Sequence, residues 1–164
     1  MPSLETLINN AAIHGPIGSL WKNDWSLWTE VIQVNLLAPV ALCHALVPLI
    51  KETKGSIINL SGGGATGPRA NFSAYATAKA GLVRFSETLA EEVKSYDVRV
   101  NCIAPGPIRT DLLRGITDTQ IEKITSQQII PKQFQKSDVC DLVELLIDKK
   151  ASSLSGQVLN VGGV

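Results

Sequence analysis

An α/β fold built on a parallel sheet is predicted by three observations. Short apolar stretches bounded by turn residues recur along the 164 residues and read as buried strands. Helix-length segments, Asp24 to Lys51 and Ala74 to Lys94, lie between them. Strands alternating with helical segments of this length imply βαβ units, and so parallel pairing. A hydrophobic content of 45% and a mean hydropathy of +0.14 fit a sheet covered on both faces, and fit equally an interface left open. The length suits one domain over residues 1–164 with a reasonable core.

The first strand is expected near Thr6 to Asn9, where the apolar run Leu7-Ile8 ends in Asn9-Asn10 and the small residues Ala11 and Ala12. The segment Asp24 to Lys51 follows as a long helix with Trp21, Trp25 and Trp28 around its start, spaced by four and three so that they can share one face. Core or subunit contact is the expected use of these tryptophans. Ser56 to Leu60, preceded by Gly55, gives the second strand, and Ala74 to Lys94 a second helix. A third strand, Val98 to Ile103, runs into the turn Pro105-Gly106-Pro107. Leu112 to Lys136 is the most loop-like stretch, yet its Ile116, Ile121, Ile124, Ile129 and Ile130 predict partial helix. Gln157 to Val161 forms the last strand.

Composition excludes several functions. Fifteen basic residues balance fifteen acidic ones, so no basic field for nucleic acid or an anionic membrane is expected. The most apolar stretch, Val31 to Ile50, carries Gln33, Asn35, Pro39 and His44 and makes a poor membrane span. No basic segment precedes an apolar one at the N-terminus, so a secretory signal is not expected. Cys43, Cys102 and Cys140 are widely separated in apolar segments and are expected to be buried free thiols in a reducing cytoplasm. Neither they nor His14 and His44 show metal-ligand spacing.

The chemistry-bearing pair is Tyr75 and Lys79, in Ser73-Ala74-Tyr75-Ala76-Thr77-Ala78-Lys79-Ala80. Residues at i and i+4 share a helix face. An ammonium beside a phenol favours the phenolate and is expected to pull the tyrosine down toward neutrality, as suits a general acid/base. Around the pair stand Asn9-Asn10-Ala11-Ala12, Asn35 in Val34-Asn35-Leu36, Asn59-Leu60-Ser61, Pro105-Gly106-Pro107-Ile108-Arg109-Thr110, and the closing Asn160-Val161-Gly162-Gly163. In this order the motifs resemble those of the short-chain dehydrogenase/reductase family, across almost the whole chain.

The resemblance implies a partial Rossmann-type, doubly wound parallel sheet of about four strands flanked by helices. It implies hydride transfer between NAD or NADP and a small carbonyl or secondary alcohol. Tyr75 would then donate or accept the proton of the substrate oxygen. Lys79 would hold the nicotinamide ribose and depress the tyrosine. Asn35 would anchor a water that relays protons toward the lysine; a buried, hydrogen-bonded asparagine is the other reading. Asn10, Ala11 and Ala12 would pass the adenine-side ribose, and Pro105, Gly106, Ile108 and Thr110 would hold the carboxamide. Residues 112–136 would be the substrate lid. Pairing through the two long helices implies a homo-oligomer.

Two departures accompany the resemblance. The family's glycine-rich turn after its first strand, where a pyrophosphate sits on a helix N-terminus, is absent; the chain opens on what resembles the family's fourth strand. The expectation is a truncated form without the N-terminal cofactor-binding half, its first strand left as an apolar edge. Gly62-Gly63-Gly64-Ala65-Thr66-Gly67 reads as the active-site loop. The second departure is Gly62 itself, which stands where the family has its catalytic serine, thirteen positions before Tyr75. Ser61 is expected to point away, because successive strand residues alternate. Thr66 or Ser73 would replace the hydroxyl if the loop folds back. Two functions are therefore carried forward: an oxidoreductase that needs a partner half, and a catalytically silent interaction or regulatory module of the same fold.

Overall fold

A computed structural model describes residues 3–65, 67–108, 110, 112, 117–126, 130 and 134–162. The strands are β1 (Thr6–Asn9), β2 (Ser56–Leu60), β3 (Arg99–Pro105) and β4 (Val158–Val161). They form one sheet in the order β1-β2-β3-β4, and every pair is parallel. Between them lie α1 (Trp25–Ile32), α2 (Ala38–Thr53), α3 (Ser73–Val93), α4 (Asp118–Ser126) and α5 (Lys136–Ile147). The predicted α/β architecture and all four strands are present. The helix α5 was not anticipated, although its Val139, Leu142, Val143 and Leu146 carry helical spacing.

Alternation along β2 sends its side chains to opposite faces. Ile57, with Val98 and Val100, packs against Cys43 and Ile50 of α2 and against Leu89, Ala90 and Val93 of α3. Ile58 and Leu60 face the other way, packing with Ile103, Val161 and Phe134 and with Leu146 of α5. Helices thus cover both faces. Coverage stops at β1, whose Ile8 is 45% exposed on an edge with no neighbouring strand among the described residues.

Local chemistry explains how the elements begin and turn. Asp24 caps α1, its carboxylate accepting from Ser26 N at 2.7 Å and Leu27 N at 3.4 Å. The predicted single helix from Asp24 to Lys51 is interrupted: Gln33–Leu37 widen into a π-turn around Asn35 before α2 resumes. Among the described residues, Trp25–Thr53 is the one helical run long and apolar enough by composition to cross a membrane; its Val31, Cys43 and Ile50 are fully buried in this fold. Gly55 enters β2 where a Cβ would lie 2.1 Å from the Glu5 carbonyl oxygen, so a side chain there is excluded. Arg99 opens β3 and donates to Leu146 O at 2.5 Å and Ala151 O at 3.2 Å, closing the C-terminal end of α5.

Candidate active site

Beneath the C-terminal ends of the strands lies a row of polar side chains. Asn9, Asn59 and Cys102 are in register across β1, β2 and β3. Asn9 Nδ2 donates to Asn59 Oδ1 at 2.7 Å, and Asn59 Nδ2 donates to Ser86 Oγ of α3 at 2.7 Å. Ser86 Oγ in turn donates to Leu82 O at 2.7 Å, and Cys102 Sγ donates to Ser86 Oγ at 3.1 Å. This network ties α3 to the sheet one turn and more below the residues that matter.

The buried stripe of α3 includes Ala74, Tyr75, Ala78, Lys79, Leu82 and Ser86, so the tyrosine and lysine do share one face. Lys79 is 2% exposed, and its Nζ donates to the carbonyl oxygen of Leu60, the last residue of β2, at 2.6 Å. Burial lowers its pKa to about 8, against a smaller raising effect of Cys102. An ammonium has three donors, and this one has no second protein acceptor among the described residues.

Tyr75 differs from the sequence expectation. Its pKa is raised, not lowered: burial dominates, and the cation that opposes it is Arg69. Lys79 Nζ stands 5.9 Å from the Tyr75 ring centroid and donates to Leu60 O. The phenol is therefore held protonated at neutral pH. His14 meets its ring edge-on, with centroids 5.2 Å apart. The His14 imidazole is kept toward its neutral form by burial and then by Arg69, and its Nδ1 is buried with no hydrogen-bond partner.

Gly62 is a consequence of this packing. A Cβ there would lie 2.7 Å from Tyr75 Oη, so the phenol occupies the space a side chain at 62 would enter. Ser61, expected to point away, donates from Oγ to Lys79 O at 3.3 Å, and it nevertheless lines the cleft. Ser73 Oγ accepts from Trp28 Nε1 at 3.1 Å and is not part of the cleft. Thr66 lies outside the described residues.

These groups open onto a cleft of about 680 Å3 at the C-terminal ends of the strands, the position where open α/β sheets bind ligands. Of the sequence-predicted residues, Asn10, Ala12, Tyr75, Lys79, Pro105, Gly106, Ile108 and Thr110 line it. Ala11 does not. Neither does Asn35, which is fully buried and clasps Ile13: Nδ2 donates to Ile13 O at 2.8 Å, and Oδ1 accepts from Ile13 N at 2.9 Å. Its side chain fixes the loop that presents Ala12 and His14 to the cleft. Leu112 reaches the lining and α4 provides helix within the expected lid, whereas Ile116 and Ile129 lie outside the described residues.

Lining residues that escaped the sequence reading include His14, Pro68, Arg69, Val139 and Cys140, while Lys136 ends the expected lid. Lys136 and Cys140 come from the first turns of α5, whose spacing would have announced them. His14 and Arg69 sit on irregular loops and carry no periodic signal. Cys140 corrects the expectation of three buried thiols. It is exposed at the cleft, while burial holds the Cys43 and Cys102 thiols up at about 11. Trp25 and Trp28 stack with centroids 5.0 Å apart, and Trp21 stands apart from them, 83% exposed. Among the described residues no cluster of three or more His, Cys, Asp or Glu could hold a metal.

The family model described as enoyl-(acyl carrier protein) reductase matches residues 1–163. A 3-oxoacyl-[acyl-carrier-protein] reductase of Chlamydia muridarum is 32% identical over 162 residues, covering 98% of this chain and 65% of that protein. Human dehydrogenase/reductase SDR family member 4 is 31% identical over 163 residues, covering 98% and 59%. The chain thus spans about three fifths of the length of these relatives. Levodione reductase superposes with a TM-score of 0.91 at 22% identity over 98% of this chain and 66% of its own, a likeness of fold. A 4-hydroxyisoleucine dehydrogenase complexed with NADH and succinate superposes with a TM-score of 0.88 at 29% identity, covering 98% and 68%. With the motifs, the parallel sheet and these matches in agreement, the chain belongs to the short-chain dehydrogenase/reductase family.

Proposed function

We propose that this chain supplies the nicotinamide-facing half of an oxidoreductase site that moves hydride between NAD(H) or NADP(H) and a small carbonyl or secondary alcohol. The observation that carries the reading is the placement of Tyr75 and Lys79. Both are buried on one face of α3, and both open onto a cleft at the ends of β1, β2 and β3.

The donor set fits the nicotinamide end of the cofactor. Lys79 has unused N–H donors directed from a buried stem, a geometry suited to ribose hydroxyls. Pro105, Gly106, Pro107, Ile108 and Thr110 line the cleft and would flank the carboxamide; Asn10 and Ala12 also line it, and Ala11 between them is exposed. When bound, the nicotinamide supplies or takes the hydride. The protein's part is the proton. Tyr75, a phenol at neutral pH, donates it to the carbonyl oxygen in the reducing direction and recovers it in the oxidising one. Asn35 acts as a positioning residue through Ile13. Residues 112–136 serve as the lid over the substrate, and the whole of 1–164 works as one domain.

The same reading includes a cytoplasmic setting, in keeping with three free thiols, and self-association. The exposed Trp21, Trp25, Leu27 and Leu42 around the long helix favour a partner copy, as does the uncovered Ile8 on β1. Specific roles for nucleic acid or membrane are not part of it.

A second reading is favoured by one observation, the loss of the hydroxyl at Gly62 under Tyr75 Oη. In it the chain is a catalytically silent module that binds through the same cleft. Turnover decides. NADH and NADPH oxidation is followed with a panel of small ketones, for the chain and for Tyr75→Phe. The oxidoreductase reading expects measurable turnover that Tyr75→Phe lowers by about 100- to 10,000-fold, while nucleotide binding measured by tryptophan fluorescence is kept. Nucleotide binding without turnover supports the silent module, and no binding of either nucleotide contradicts the oxidoreductase reading.

A further inference from the structure

Arg69 is half-buried at the rim of the cleft, its guanidinium carbon 4.1 Å from the Phe72 ring centroid. The loop that carries it is fixed from two sides. Asn71 O accepts from Gly18 N at 2.9 Å, and Ser73 Oγ accepts from Trp28 Nε1 at 3.1 Å. The cation is therefore placed, not trailing in solvent. Its charge acts on Tyr75 and on His14, two rings that meet edge-on at the cleft.

No carboxylate pairs with Arg69 among the described residues. The described lining of the cleft contains three cationic side chains, Arg69, Lys79 and Lys136, and no Asp or Glu. Burial already works against the charge of Arg69. A partly buried cation without a counterion is costly, and a ligand that brings the anion removes that cost. A planar guanidinium fork matches a carboxylate in two parallel hydrogen bonds.

We propose that Arg69 receives a carboxylate of the substrate, so that the cleft takes small oxo or hydroxy acids whose reacting carbon lies at Tyr75. The assignment rests on the reading of Tyr75 as the reacting group, and it names the substrate class of that site. Lys136, at the start of α5, adds to the positive field without forming the fork.

The test needs no nucleotide, so it fails independently of hydride transfer. The cofactor-free chain is titrated by calorimetry with succinate, with its uncharged isostere succinamide, and with inorganic phosphate. Arg69→Gln and Lys136→Gln are titrated alongside, with near-UV circular dichroism confirming that both variants keep the fold. Succinate is expected to bind at least about tenfold tighter than succinamide. Arg69→Gln should erase that preference and Lys136→Gln should keep most of it. The proposal is overturned if succinate does not bind, if the two compounds bind alike, or if Arg69→Gln leaves the preference in place. It is also overturned if phosphate binds tighter than succinate through Arg69, since the anion is then a phosphate group. An intact succinate preference in a chain that neither binds nor oxidises NADH would sink the hydride reading and leave the anion site standing.

Discussion

On the face of the sheet covered by α5, Ile58, Leu60, Ile103 and Val161 pack with Phe134 and Leu146 in an apolar cluster. On the face covered by α2 and α3, Asn9, Asn59 and Cys102 stand in a row and meet Ser86, with Lys79 buried above them. The first face is ordinary packing that many sequences would satisfy. The second holds polar groups that must be matched one by one, and it leaves Asn9 Oδ1 without a partner. A fold accepts such a face when the groups at its upper end have work to do. Both faces carry an apolar cluster, so the contrast lies in the polar row, which places the chemistry on the α3 side.

Substitutions on the two faces should separate packing from that chemistry. Leu146→Ala on the apolar face is expected to cost about 2–5 kcal/mol in denaturant unfolding, through lost burial and a cavity, with nucleotide binding by the remaining folded protein unchanged. Lys79→Met tests the polar face through pH. Folding holds Lys79 at about 8 against an ordinary 10.5, so between those values the unfolded chain binds a proton that the native chain has released. Stability attributable to this residue therefore rises with pH across that window, and the penalty is fully present below it. Wild type should gain on Lys79→Met from pH 8 to pH 10.5, by on the order of 3 kcal/mol at most, read as the difference of two unfolding curves. A difference that is flat in pH would remove the buried-ammonium account. Asn59→Ala leaves Asn9 and Ser86 without their partner and should cost about 1–3 kcal/mol; an effect within error would mean that water replaces the amide readily.

The strands were legible because each is a short apolar run closed by turn residues, and β1 and β2 were placed to the residue. The helix α3 was legible for the same reason that it works: one stripe of small and apolar residues carries Tyr75 and Lys79 together. Three things were not legible. The π-turn at Gln33–Leu37 leaves no composition signal, so Asn35 read as an odd residue in an unbroken helix. The direction of the Tyr75 shift follows from its burial in the fold, while Lys79 Nζ donates to a backbone carbonyl at the end of β2. His14 and Arg69 reach the cleft through loops whose course is set by contacts such as Gly18 N to Asn71 O, across about fifty residues of sequence. Regular elements announce themselves by period, and the loops that complete a site do not.

The central claim is that this chain holds the nicotinamide end of a dinucleotide at Tyr75 and Lys79. Saturation-transfer NMR of NADH with the cofactor-free chain tests it directly, by reporting which protons of the ligand touch protein. The account predicts strong transfer to the nicotinamide and its ribose, weak transfer to the adenine, and loss of the nicotinamide signal in Lys79→Met. Strongest transfer to the adenine, or a nicotinamide signal that survives Lys79→Met unchanged, would contradict it.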